Sequence, residues 1–236
     1  MNIRTRMITL VSALLVAIAI APQSAIAARP TNPTVLTPPY DGAFSRPLCQ
    51  QTGTGVCAAT ATADASTGWV TVSGTATAVY SPFASAQTGT ADAQPYGAVL
   101  ESFNIPHGGA SSVTFTVTTD IDYAIAESSG PLNSGARVYL AVYSGVSGSC
   151  TSCTVSSEER IADTDPSTLA PASWSEQDHT FTFVLKSASG DRLRGRGYIN
   201  IYLKSSGYAS SEFLTDAFAH VRAAVAFNSV TATFVS

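Results

Sequence analysis

From Trp69 to the end of the chain, apolar and polar residues alternate with a period of two. Val70, Val72, Ala76, Ala78 and Tyr80 are interleaved with Thr71, Ser73, Thr75 and Thr77. Val113, Phe115 and Val117 alternate with Ser112, Thr114, Thr116 and Thr118, and Ile121, Tyr123 and Ile125 resume the pattern past Thr119-Asp120. Val138, Leu140 and Val142 form another such run, as do His179, Phe181, Phe183 and Leu185. Ile199, Ile201 and Leu203 follow, and then Val221, Val225 and Phe227 lead into Val230 to Val235. Strict alternation buries one face of a strand and wets the other, as in antiparallel sheets. Gly, Ser, Pro and Asp separate the runs, as turns require. The pattern predicts an all-β protein, an antiparallel β-sandwich with jelly-roll-like connectivity over residues 67–236. The only plausible helical piece is Ser210 to Ala219, and it would be short.

The pattern breaks down toward the N-terminus. Arg4 and Arg6 precede an apolar run from Met7 to Ala21, and Ala25-Ile26-Ala27 offers the small residues a signal peptidase needs. Residues 1–27 therefore read as a secretory signal peptide, and the mature protein is expected outside the cell. The run is too short for a membrane span, and no later stretch reads as a stop-transfer segment. Residues 28–66, with Pro30, Pro33, Pro38, Pro39 and Pro47 and an Ala/Thr run from Ala58 to Ala65, read as a flexible lead.

Composition adds to this picture. Charged residues make up 12% of the chain, against about 25% in ordinary globular proteins. Hydroxyl and small residues replace them, as pleated, half-buried positions favour. Removing residues 1–27 leaves 10 basic and 16 acidic residues, a net charge of −6. That balance argues against a nucleic-acid partner. The four cysteines fall into two local pairs, Cys49 with Cys57 and Cys150 with Cys153. Four cysteines permit three connectivities, and short loops favour the local pairing. The Cys150-Thr-Ser-Cys153 spacing also occurs in redox and zinc sites. The first would require a helix N-terminus and the second further Cys or His ligands.

Catalytic motifs are sparse. Gly145-Val146-Ser147-Gly148 falls short of a nucleophile elbow. The histidines His107, His179 and His220 are dispersed, and no cofactor is implied. A glycoside hydrolase would need two opposed carboxylates. Glu101, Glu127, Asp122, Glu176 and Asp178 are present without a motif around them. Asp120-Ile121-Asp122 and Asp163-Thr164-Asp165 admit calcium ligation or plain turn chemistry.

One stretch has a directional face. Gly190 to Lys204 splits by strand period into Leu193, Gly195, Gly197, Ile199, Ile201 and Leu203 on one side. Arg192, Arg194, Arg196, Tyr198, Asn200, Tyr202 and Lys204 fall on the other. Arg137, Tyr139 and Tyr143 occupy the polar phase of a second strand, and His220 and Arg222 that of a third. If these strands are neighbours, Arg137, Tyr139, Arg192, Arg194, Arg196, Tyr198, Tyr202 and Arg222 form a basic, aromatic binding face. Trp69 and Trp174 would join it if exposed. Tyr rings stack on sugars, and the Arg fork matches carboxylate, sulfate or phosphate. The same residues also cover and stabilise ordinary sheet surface without any ligand. The sequence thus predicts a secreted, non-catalytic binding protein whose partner is an extracellular polysaccharide. A structural or adhesive envelope protein that contacts a surface protein is the rival, and an extracellular hydrolase a weaker one.

Overall fold

The alternating runs pair into two antiparallel sheets in the computed structural model, which describes residues 32–83, 88–127, 134–147, 154–163, 172–187, 189–211 and 216–236. The first sheet has the order β11 (Ala172–Lys186), β8 (Ser112–Glu127), β13 (Ala217–Val235), β5 (Trp69–Ala78) and β4 (Gly55–Asp64). The short β1 (Thr34–Leu36) pairs with β13 at residues 230–232, beyond the part that β5 covers. In the second sheet β10 (Thr154–Asp163), β9 (Ser134–Ser147) and β12 (Arg196–Ser210) lie side by side. β7 (Tyr96–Asn104) and β6 (Thr90–Ala93) share the far edge of β12, with β2 (Gly42–Arg46) outside β7 and β3 (Cys49–Thr52) outside β6. Most connections carry the chain from one sheet to the other, as in jelly rolls. The architecture is an antiparallel β-sandwich, as the alternation predicts.

Two expectations need correction. No helix is present among the described residues of 210–219: Ser210 ends β12, and Ala217 to Ala219 open β13. The expected lead over 28–66 is instead built into the sandwich from Thr34 onward, as β1 to β4. The reason is steric. In β4 the Ala/Thr run alternates like any other strand, with Cys57, Ala59, Ala61 and Ala63 half-buried and Ala58, Thr60, Thr62 and Asp64 exposed. Its inner residues are methyl-sized, so the pattern carries little hydrophobic contrast, yet it suits the thin margin of a sheet. Pro38, Pro39 and Pro47 sit in the connections between these short strands, where a missing N–H costs no ladder bond.

The core lies between the sheets and is richest around a chain of rings. Phe115 stacks on Phe183 at 4.9 Å within the first sheet and meets Phe103 of the second edge-on at 5.1 Å. Phe103 lies against its register partner Gly197, where a Cβ would meet the ring at 2.2 Å. Only glycine leaves room there for the phenyl group. At the other end of the sandwich, Ala76, Ala78, Ala91, Ala209, Ala217 and Ala219 leave only methyl groups between the sheets. Cys57 packs against this cluster.

The Cys49–Cys57 disulfide joins the two sheets there, linking β3 to β4 with a Cα–Cα distance of 5.9 Å. The expected local pairing is thus observed for this pair, whereas Cys150 and Cys153 lie outside the described residues. Closing so short a loop in the unfolded chain stabilises the fold by about 2.5 kcal/mol on the chain-entropy account. Thermal unfolding of a Cys49→Ser/Cys57→Ser variant should therefore show a loss of about 2–3 kcal/mol, with the midpoint several degrees lower. An unchanged midpoint would mean that the alanine packing alone holds this end together.

Candidate ligand-binding face

The outer faces of the two sheets differ in chemistry. On the first sheet, β8 presents Thr114, Thr116 and Thr118, flanked in register by Thr180 and Thr182 of β11 and by Ser229, Thr231 and Thr233 of β13. Small hydroxyl side chains dominate that surface. The second sheet carries a cluster of packed rings with cations among them.

β12 sets this difference. Gly197, Ile199, Ile201 and Leu203 are buried, while Tyr198, Tyr202 and Lys204 are half-exposed and Arg196 is exposed. β9 follows the same phase, with Val138, Leu140 and Val142 buried and Arg137, Tyr139 and Tyr143 on the outer side. The two strands are adjacent, and their outer residues pair as Ser206 with Arg137, Lys204 with Tyr139, Tyr202 with Ala141, Asn200 with Tyr143 and Tyr198 with Gly145. Across the other edge of β12, Tyr202 pairs with Ala98 and then Phe44, and Lys204 pairs with Tyr96 and then Arg46.

The rings pack into two groups. Phe44 meets Tyr96 edge-on at 6.0 Å and Tyr202 at 5.6 Å, and Tyr96 lies 6.3 Å from Tyr202. The alanines Ala98 and Ala141, in the same row as Tyr202 and Phe44, leave room for the rings to spread over the sheet. The second group is Tyr143 with Tyr198, 5.8 Å apart. Tyr198 reclines across β9 because its neighbour is Gly145, where a Cβ would lie 2.6 Å from the tyrosine hydroxyl. Partial burial, reinforced by the hydrogen bond to Tyr143, raises the Tyr198 hydroxyl pKa. Burial also raises that of Tyr202, against a hydrogen bond from Asn200. Both hydroxyls are therefore neutral at physiological pH. Lys204 Nζ sits 5.9 Å from the centre of the Tyr202 ring, within cation–π range.

Arg196 has a structural partner set. Its guanidinium donates to Ser102 Oγ and lies 3.8 Å from the Asp41 carboxylate. Asp41 in turn accepts from the Ser102 amide at 3.0 Å and from its hydroxyl. The Asp41 amide donates to Glu101 Oε2 at 2.8 Å. This network ties the start of β2 to β7 and β12. Burial pushes the Glu101 carboxyl up to about 7, opposed in part by that amide.

The remaining predicted residues fall elsewhere. The strand expected from Gly190 begins only at Arg196, because Gly195 adopts φ 87° and breaks the extended run. Arg192 and Arg194 therefore lie in the segment ahead of β12. There Leu193 is buried and bridges Ala110, and Arg192 donates to the Gly108 carbonyl at 3.2 Å. Arg222 is exposed on β13, between Ala124 of β8 and Ser73 of β5, and so belongs to the outer face of the opposite sheet. It cannot share a surface with Arg137 or Tyr198. Trp69 is exposed on that same sheet, in β5. Trp174 is half-buried against Tyr123, and its ring meets His179 edge-on at 5.9 Å. His179 lies 3.4 Å from Glu176.

Phe44, Arg46 and Tyr96 escaped the sequence reading. Phe44 and Arg46 stand in the segment read as a lead, and β7 places Tyr96 in a short run with weak apolar contrast. Of the Asp-x-Asp pairs, Asp120 accepts from the Asp178 amide at 3.0 Å and bonds the Asn228 side chain, which holds its carboxyl below the usual range. Asp178 and Asn228 stand at bulges in β11 and β13, so Asp120 stitches two irregularities together. No group of three His, Cys, Asp or Glu among the described residues is placed to hold a metal ion. Nor, among them, is any helix long and apolar enough to cross a membrane.

No family model matches the chain, and no curated protein matches it. A solved chain described under the structural basis for the promiscuous specificity of carbohydrate-binding modules from the β-sandwich superfamily aligns with 69% of this chain. The identity is 13% and the TM-score 0.16, and the alignment spans 54% of that protein, about half its length. So low a score carries no argument about function.

The Glu101 network makes a pH prediction. The folded protein holds the Glu101 proton more tightly than the unfolded chain, whose carboxyl titrates near 4.5. The resulting stabilisation is complete below pH 4.5 and is lost as pH rises through about 7. The melting temperature of a Glu101→Gln variant, relative to wild type, should therefore rise across that window. Parallel pH profiles for the two proteins would show that Glu101 is not the titrating group.

Proposed function

We propose that this is a secreted, non-catalytic binding protein that holds extracellular glycan on the outer face of its second sheet. The observation that carries the reading is the platform of rings formed by exposed Tyr143 and half-exposed Tyr96, Tyr198, Tyr202 and Phe44. Sugar rings present flat C–H faces that pack on aromatic rings, and their hydroxyls pair with polar groups such as the neutral tyrosine hydroxyls. The platform rests on strands rather than loops, so its rings are held by register and lose little entropy on binding. Secretion rests on the leader-like residues 1–27.

Retention on a panel of insoluble and soluble polysaccharides tests this. Tyr198→Ala and Tyr202→Ala should each weaken retention about 2- to 10-fold, with the melting temperature as a check on folding. A double variant that binds like wild type, or a wild type that no polysaccharide retains, would remove the reading.

A protein-protein role is the second reading, and a different surface favours it. Phe218 and Val56 are 42% and 63% exposed in one register row of the first sheet, on either side of Thr77. Under that reading the protein self-associates in light scattering, and Phe218→Ser returns it to monomer. Monomeric wild type at all concentrations would dismiss it.

A further inference from the structure

The binding platform has a finer order than a patch of rings. One register row crosses five strands of the second sheet. Arg160 of β10, Tyr139 of β9, Lys204 of β12, Tyr96 of β7 and Arg46 of β2 are successive Cα partners. Cation and tyrosine alternate at every step, and the row contains no acidic residue. The two acidic residues next along β10, Glu159 and Glu158, pair with Leu140 and Ala141, each in another row. Strands in a sheet lie about 4.8 Å apart, so each chemical type recurs about every 9.5 Å. Tyr139, Lys204 and Tyr96 are half-exposed and Arg46 is exposed.

We propose that this row is the track for a polysaccharide in which acidic and neutral sugars alternate, lying across the strands. The inference rests on the reading that this face binds glycan. An extended β-linked chain advances by one disaccharide over about the span of two strands. Every second sugar then meets a cation, and the sugars between meet a tyrosine ring. A polymer acidic at every residue would place carboxylates over the rings, whose faces carry the negative end of the quadrupole. A neutral polymer would leave the cations without counter-charges. The protein as a whole carries net charge −4, so its long-range field opposes anions, and an anionic chain is held only where its charges meet the cations locally.

The test compares three polymers with the full chain: hyaluronan, in which glucuronate alternates with N-acetylglucosamine, polygalacturonate, acidic throughout, and neutral hydroxyethyl cellulose. Affinity electrophoresis at low and physiological salt should show hyaluronan bound most tightly and weakened by salt. Lys204→Ala and Arg46→Ala should each reduce hyaluronan binding about 2- to 5-fold, and together about ten-fold. Binding of the neutral polymer at equal strength, or hyaluronan binding unchanged in both variants, would overturn the alternating-charge track. In that case Tyr-dependent retention of the neutral polymer keeps the glycan reading alive. Failure of every polymer to bind wild type would instead defeat the glycan reading itself.

Discussion

The register of β12 is the constraint on which the rest depends. This strand is central in the second sheet, bonded to β9 along one edge and to β7 and β6 along the other. Its side chains alternate between the core and the outer face, so a slip of one residue would expose Ile199, Ile201 and Leu203 and bury Tyr198, Tyr202 and Lys204. The greasy inner row makes that slip costly, at roughly 1.5–3 kcal/mol for each large apolar side chain exposed. Core packing thereby fixes the outer row as well, in addition to the ring contacts that row makes. The aromatic platform is a consequence of core packing, read from the other side of the same strand.

Two glycines adapt that strand pair to its large side chains. Gly197 opens the inner side for Phe103, which reaches across the core to Phe115. Gly145 opens the outer side for Tyr198, which lies down over β9 instead of standing into water. Inner and outer surfaces thus gain aromatic packing through the same device, a missing Cβ opposite a ring. The opposite end of the sandwich uses another solution. There only alanine methyls separate the sheets, and a covalent link between β3 and β4 supplements the small apolar area.

Much of this was legible in the chain because period-two alternation has a direct physical cause. Val113 to Val117 and Ile199 to Leu203 lie inward, as their phase dictates, and the outer placement of Tyr139, Tyr198 and Tyr202 follows from the same rule. Where the contrast between phases is weak, the pattern fades. β4 alternates alanine with threonine and aspartate, and β2 is five residues long, so both looked like a lead. Phe44 and Arg46 were lost with them. The run through Arg192 and Arg194 failed for another reason. Alternation continues in the letters, but a positive φ at Gly195 ends the strand in space. The 210–219 segment, the only plausible helical piece, gives its described ends to the flanking strands.

The sequence by itself determined which residues face the core and which face water along each strand, because burial and pleat geometry act locally. It favoured, without fixing, the pairing of two cysteines eight positions apart, because short loops close cheaply. Only the tertiary structure decided which strands are neighbours. Adjacency brings Arg46, Tyr96, Lys204 and Tyr139 into one row and sends Arg222 to the far sheet. Strand order depends on crossovers between sheets and on contacts distant in sequence, and no local period records them.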